Sequence, residues 1–156
     1  MRFSGLAIGD AATIRRDELV YDTSRETWRV VTSRQKTGTH VSVLLPRGLG
    51  DALHKVAERC EHPDYVFWNW RGGQRKAAVD VWERAMRRIF RSAGIINGHS
   101  HQLRDTFAVA LLSKGVPIEE VAKLLGHSSI RTTERSYSPW VRTRQDRLDA
   151  LIEATF

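Results

Sequence analysis

At 156 residues, 41% hydrophobic and 28% charged, the chain has the composition of one globular domain large enough to bury a core. Its formal net charge of +7 and pI near 10.2 point to a polyanionic partner, nucleic acid before anionic membrane. No apolar run approaches the roughly 20 residues that span a bilayer, no secretory signal opens the chain, and the single cysteine, Cys60, cannot form an internal disulfide, which fits a reducing cytoplasm. Within HKVAERCEH that cysteine reads as helix packing, not as a nucleophile.

The opening MRFSGLAIGDAATIRRDEL enters an amphipathic pattern at once, without capping residues or a leader, so a fragment of a longer protein is the expectation. Leu6, Ala7, Asp10, Ala11 and Ile14 follow helical spacing and predict a helix over residues 3–15, ended by Asp17-Glu18. Three strand signals follow: LVY, TWRVVTSR and THVSVLLP. Trp28, Val30 and Thr32 alternate with Arg29, Val31 and Ser33, Thr37-Gly38 marks a hairpin turn, and Pro46 stops the third run. The expectation is a small three-stranded antiparallel sheet.

Residues 48–60 predict a helix with Leu49, Leu53, Val56 and Ala57 on one side. Residues 61–73 form a connector whose YVFWNW run fits a short buried strand or a loop plug equally. A helix over 77–93 places Val81, Ala85, Ile89 and Phe90 inward and Arg84, Arg87, Arg88 and Arg91 outward, on either a solvated or a phosphate-facing surface. Beyond the 94–98 loop come short helices at about 101–114, 117–125 and 129–137. An amphipathic helix over about 141–153 follows, with Val141, Leu148, Leu151 and Ile152 as its apolar stripe. The fold class is α+β: a mostly helical domain with the sheet near its N-terminus.

The polar residues of HSHQLRDTFAVALLSKGVPIEEVAKLLGHSSIRTTERSYSPW carry the chemistry. His101 and Arg104, three apart on a helix, lie about 60° apart around its axis, on the rim of a stripe formed by Leu103, Phe107, Ala110 and Leu111. Arginine there can present two N–H donors to a phosphate and stays charged. Taken alone such a pair is more often structural. Pro117 at the helix start, Glu119 and Glu120 in its first turn and Gly126 past its end frame the next helix. They leave His127 at a chain reversal, where a capping histidine is the common finding. Ser128 and Ser129 suit the next N-cap, and Tyr137 falls near that helix's end, where an isolated tyrosine is more often a packing residue.

LRDTFA, LLGHSS and TTERSY, in this order and spacing, resemble the tyrosine recombinase (phage-type integrase) family, whose pattern is H-x-x-R, then LGH, then a tyrosine. His101, Arg104, His127 and Tyr137 match it, while His99 has the wrong spacing for the first histidine. SRQKTGTHV resembles the family's lysine-bearing hairpin, which would make Lys36 catalytic, and SGLAIGDAATI resembles its opening helix with Asp10 at the acidic position. The resemblance spans essentially the whole chain as a catalytic domain, without the N-terminal core-binding domain.

It implies cutting and rejoining of double-stranded DNA without metal or cofactor, through a 3′-phosphotyrosine and a free 5′-hydroxyl, in phage or other mobile-element integration and recombination. Tyr137 would be the nucleophile, with Arg104 and His127 on the phosphate oxygens. Lys36 would protonate the leaving 5′-oxygen, and His101 would assist proton transfer and positioning. Family members act as tetramers on DNA, and a monomer is expected for the isolated domain.

One departure stands out. Where the family pattern G-L-R-x-x-E/D carries its first arginine, this chain has Ala7, and Arg2 lies off that face. Losing such a clamp costs about 3 kcal/mol of transition-state stabilisation, roughly a hundredfold in rate, so impaired activity is the expectation. An engineered change, a decayed element and a weak enzyme all fit.

Four rivals remain. VPIEEVAKLLGHSSIRTTERSY also reads as a helix-turn-helix-like, non-catalytic DNA-binding module exposing Arg131, Thr132 and Arg135. A structural protein made basic for solubility is another. Metal-dependent nuclease chemistry is disfavoured by the lack of a ligand-spaced Asp/Glu/His cluster. Type IB topoisomerases share the covalent chemistry, but LLGHSS fits integrases better.

Overall fold

The computed structural model describes residues 1–68 and 74–156, with only the backbone described for Pro139, 141–144, Asp146 and Arg147. In chain order the elements are α1 (Ile8–Ala12), β1 (Leu19–Asp22), β2 (Thr27–Ser33), β3 (His40–Leu44), α2 (Arg47–Arg59), α3 (Arg75–Ser92), α4 (His101–Ser113), α5 (Ile118–Leu125) and α6 (Ile130–Thr155). The domain is α+β, as the sequence implies.

The sheet is antiparallel in the order β1-β2-β3. Val30 stands opposite both Leu19 and Val43, and Thr32 opposite Val41. This register puts Leu19, Val30, Val41 and Val43 on one buried face, following the period of two. Gly38, at φ 68, closes the β2–β3 hairpin at the expected turn.

Two apolar clusters make the core. Leu6, Ile14, Leu45, Ala57 and Val66 join the sheet's inner face, and Ala108, Leu112, Val121, Leu125 and Tyr137 fill the space among α4, α5 and α6. Phe107 packs against both clusters. The seam between sheet and helices therefore runs beside α4, and the polar site forms there.

Several elements depart from the periodicity. The first helix is only Ile8–Ala12, not residues 3–15, because Gly5 turns the chain at φ 64 and Ala7 is extended at φ −69, ψ 158. A Cβ on Gly5 would sit 2.7 Å from the Phe107 ring, so packing as well as dihedral demands glycine. YVFWNW resolves as a plug: Val66 N–H donates to Ile14 O at 3.0 Å and Tyr65 bridges Arg15, with Val66 and Trp68 buried. Its last two residues and Arg71–Gly73 lie outside the described residues. On α2 Val56 is exposed, although Ala57 is buried and Leu49 and Leu53 pack as expected.

On α3 Val81 and Ile89 are exposed instead of inward, and Ala78, Trp82, Ala85 and Met86 are covered. The arginine stripe claims one arc for solvent, so the covered arc lies slightly round the helix from the expected one. Finally, α6 is continuous where two helices at 129–137 and 141–153 are expected. Proline's fixed φ is helical; it only removes one bond, at about 3 kcal/mol, and nothing among the described residues draws the downstream half away. There Leu148, Leu151 and Ile152 are exposed, so this stripe does not pack on its own domain. The Val141 side chain lies outside the described residues.

Candidate active site

Arg104 is the pivot. The buried face of α4 runs along Arg104, Ala108 and Leu112, so the arginine lies at its centre and not on its rim, with 1% exposure. Such a charge is tolerable only when its donors are satisfied. Nη1 donates to Gly5 O, and Nη2 donates to Leu125 O at 2.8 Å and contacts His127 Nε2 at 2.9 Å. Leu125 ends α5, so its carbonyl has no partner within the helix and carries the negative end of the helix dipole. Burial, and next the repulsion of Arg34, lower the Arg104 pKa to about 10, which leaves it a cation at neutral pH.

His127 reaches Arg104 because Gly126 caps α5 in the left-handed region at φ 66. A Cβ on Gly126 would lie 2.5 Å from Arg34 Cγ and 2.6 Å from Val41 Cγ2. Since a guanidinium only donates, His127 Nε2 must be bare, and its Nδ1–H then donates to Thr133 Oγ1 at 2.8 Å, with Thr133 fully buried. Burial and then the charges of Arg104, Arg34 and His101 lower the His127 pKa to about 4. The ring is therefore neutral in this state.

Tyr137 lies one turn beyond Thr133 on α6 and is 3% exposed. Its hydroxyl donates to Asp105 Oδ1 at 2.7 Å, and His101 Nε2 lies 3.6 Å from the same oxygen. Burial and the Asp105 contact push the phenol's pKa well above its ordinary value, against the pull of Arg104. Four of the five expected site residues thus fall in two neighbouring contact sets, Arg104 with His127 and Tyr137 with His101 through Asp105, and the Arg104 charge acts on both His127 and Tyr137.

The fifth, Lys36, is apart from them: it is exposed on the hairpin turn and touches none of the other four. Its neighbours are anchored, with Gln35 N–H donating to Asp10 Oδ1 at 3.3 Å and the Thr37 hydroxyl 3.5 Å from Gly126 O. These contacts hold the turn that carries Lys36 against α1 and the C-terminal end of α5.

Two residues escaped the sequence reasoning. Asp105 is one. The other is Arg34, whose Nη1 donates to Leu125 O at 3.0 Å, the carbonyl that Arg104 also holds, while its Nε lies 2.9 Å from Asp10 Oδ2. Arg34 and Arg104 thus form a two-guanidinium centre whose near anion is Asp10, with Arg75 Nη2 3.9 Å from Asp10 Oδ1. Arg2 is engaged elsewhere, its Nη1 donating to Thr106 O at 3.5 Å. Spacing along the chain could not reveal Arg34, which reads as an ordinary hairpin residue; two arginines sharing one carbonyl exist only in the fold. Beyond this centre, Arg84, Arg87, Arg88 and Arg91 line an exposed depression on α3.

The phage integrase family model matches residues 1–139. The chain is similar to the tyrosine recombinase XerC of Bacillus licheniformis, 32% identical over 99 residues that make up 60% of this chain and 30% of that protein. It is also similar to XerC of Lactobacillus delbrueckii subsp. bulgaricus, 42% identical over 52 residues, 33% of this chain and 18% of that one. It therefore spans less than a third of the length of either relative. Among solved structures, the XerH site-specific recombinase in a post-cleavage complex with palindromic difH substrate superposes with a TM-score of 0.71 at 20% identity, covering 97% of this chain and 43% of that one. The catalytic domain of bacteriophage HP1 integrase gives 0.60 at 18%, covering 93% and 73%. The helix-turn-helix alternative is not favoured, because the family match runs from residue 1 through the sheet.

Proposed function

We propose, from the premise that the chain belongs to the phage integrase family, that it is the catalytic domain of a site-specific recombinase that cuts and rejoins double-stranded DNA through Tyr137. The observation that carries this reading is that Arg104 on α4 touches His127 in the α5–α6 turn, while the buried Tyr137 hydroxyl on α6 is bound to Asp105, the neighbour of Arg104, within reach of the Arg104 charge. Nucleophile and phosphate-binding cations must lie within one phosphate's reach, since the reaction is positioning plus charge stabilisation.

In this reading the Tyr137 oxygen attacks a backbone phosphate, forming a 3′-phosphotyrosine while the P–O5′ bond breaks. Arg104 turns free N–H donors to the non-bridging oxygens. His127 exchanges its contact with Arg104 Nη2 for a proton and a hydrogen bond to phosphate, a change favoured by the incoming negative charge. Lys36, carried on its tethered hairpin, protonates the departing 5′-oxygen, and His101 serves proton movement at the solvent edge. Arg34 supplies part of the positive charge that Ala7 lacks, so activity is weakened but not abolished. The exposed α3 arginines fit phosphates flanking the cut site. The exposed α6 stripe fits contact with a neighbouring copy in a DNA-bound tetramer, and the domain alone is a monomer.

The test is a nicked or suicide DNA duplex that traps the covalent adduct. The chain should yield a DNA-linked species resistant to denaturant, and Tyr137→Phe should yield none. An unaltered adduct level in Tyr137→Phe would sink the proposal.

A further inference from the structure

Resting on the recombinase reading above, we propose that Asp105 is the base that accepts the Tyr137 proton, with His101 linking that carboxylate to solvent. A phenol must lose its proton as it becomes a phosphate ester, and its burial here denies bulk water that task. Asp105 Oδ1, 2.7 Å away, is the acceptor of its hydroxyl. His127 is not the acceptor, because in the reading above its Nε2 already carries a proton directed at the phosphate, and its Nδ1–H is committed to Thr133. Lys36 lies on the hairpin, apart from this contact.

Among the described residues, the groups facing Asp105 are His101 and Arg104 on its own helix and Tyr137 from α6. His101 Nε2 stands 3.6 Å from the same Oδ1, and its side chain is 60% exposed. The proton therefore has a path from a buried oxygen through a half-exposed carboxylate to an exposed imidazole.

In the step itself, the Tyr137 O–H bond breaks and its proton passes to Asp105 Oδ1. The freed electron pair on the phenolic oxygen forms the bond to phosphorus. The P–O5′ bond breaks, and its electron pair stays on O5′, which is protonated by Lys36. Asp105 ends as a neutral acid, and on rejoining it returns the proton to the departing phenolate, or it discharges to solvent through His101. Before attack a carboxylate is a far weaker base than a phenolate, but an esterified phenol oxygen loses its basicity as the bond forms. Transfer thus becomes favourable during the step and not before it. Protonation also removes a negative charge facing the incoming phosphate, so the stabilisation appears only in the transition state.

Covalent adduct formation on a suicide duplex, measured with this chain, Asp105→Ala and Asp105→Asn, tests the assignment. Loss of a general base slows cleavage by about 10²- to 10⁴-fold, with retention on DNA unchanged. Formate, a carboxylate small enough for the vacated space, should partly restore Asp105→Ala and leave the unmodified chain unaffected. Equal or faster cleavage by Asp105→Ala would mean that the contact only packs or restrains the tyrosine, and the assignment would fall. A slow variant with no formate rescue would also overturn it, as a structural role. If the unmodified chain forms no adduct, the recombinase reading itself fails and Asp105 falls with it, an outcome distinct from normal cleavage by the variants.

Discussion

Lowering the pH tests the neutral His127 at the centre of the site. Its pKa falls from 6.5 to about 4 on folding, chiefly through burial and then through Arg104, Arg34 and His101. A depressed histidine pKa means that the unfolded chain binds the proton more readily than the folded one. Stability is therefore complete above pH 6.5 and is lost as pH falls from there towards 4. The full gap corresponds to about 3 kcal/mol at 1.36 kcal/mol per unit, and partial solvent screening brings the expected loss to about 2 kcal/mol. Urea denaturation between pH 7 and 4, on this chain and His127→Gln, isolates that contribution, because the carboxylates titrate alike in both. The unmodified chain should lose about 2 kcal/mol more than the variant across the window. Parallel stability curves would refute the neutral, arginine-bonded ring. DNA supplies the converse: a phosphate beside His127 favours its protonated form, so binding near pH 5.5 should take up protons. Titration calorimetry in buffers of different ionisation enthalpy measures that uptake.

Ala7→Arg should raise cleavage of a suicide duplex by about tenfold to a hundredfold, the worth of one restored guanidinium, and flat activity would show that the centre needs no further cation. Arg34→Met should depress cleavage in the unmodified chain more than in Ala7→Arg if the two cations serve one phosphate, a non-additivity read from a double-mutant cycle. Gly5→Ala combines a positive-φ penalty with a clash against the Phe107 ring and should cost about 3 kcal/mol in chemical denaturation. Replacing Arg84 and Arg88 by Ala on the exposed face of α3 should flatten the slope of log affinity against log salt by up to about 0.9 per lost phosphate contact; an unchanged slope would leave those arginines as a solvated face.

The local sequence determined those features whose causes are local. Alternation wrote the three strands and the face they bury; glycines at 38 and 126 marked two left-handed turns; the order of His101, Arg104, His127 and Tyr137 carried the family. Each depends on residues within a few turns of one another. Tertiary structure decided the rest. Periodicity says which residues share a face but not how much of it a neighbour covers, so Val81 and Ile89 on α3 and Arg104 on α4 sit one step round from expectation. The first helix is cut short because Gly5 meets Phe107 across about a hundred positions of chain, a contact that no helical spacing contains. The site's second arginine is the clearest case. Arg34 and Arg104 come from a hairpin and a helix far apart in sequence and meet only where the end of α5 offers one unpaired carbonyl to both. Asp105 becomes the partner of Tyr137 only because α4 and α6 pack side by side. The identities of the reacting groups can be read along the chain; which proton has an acceptor and which charge a neighbour depends on the distances that folding sets.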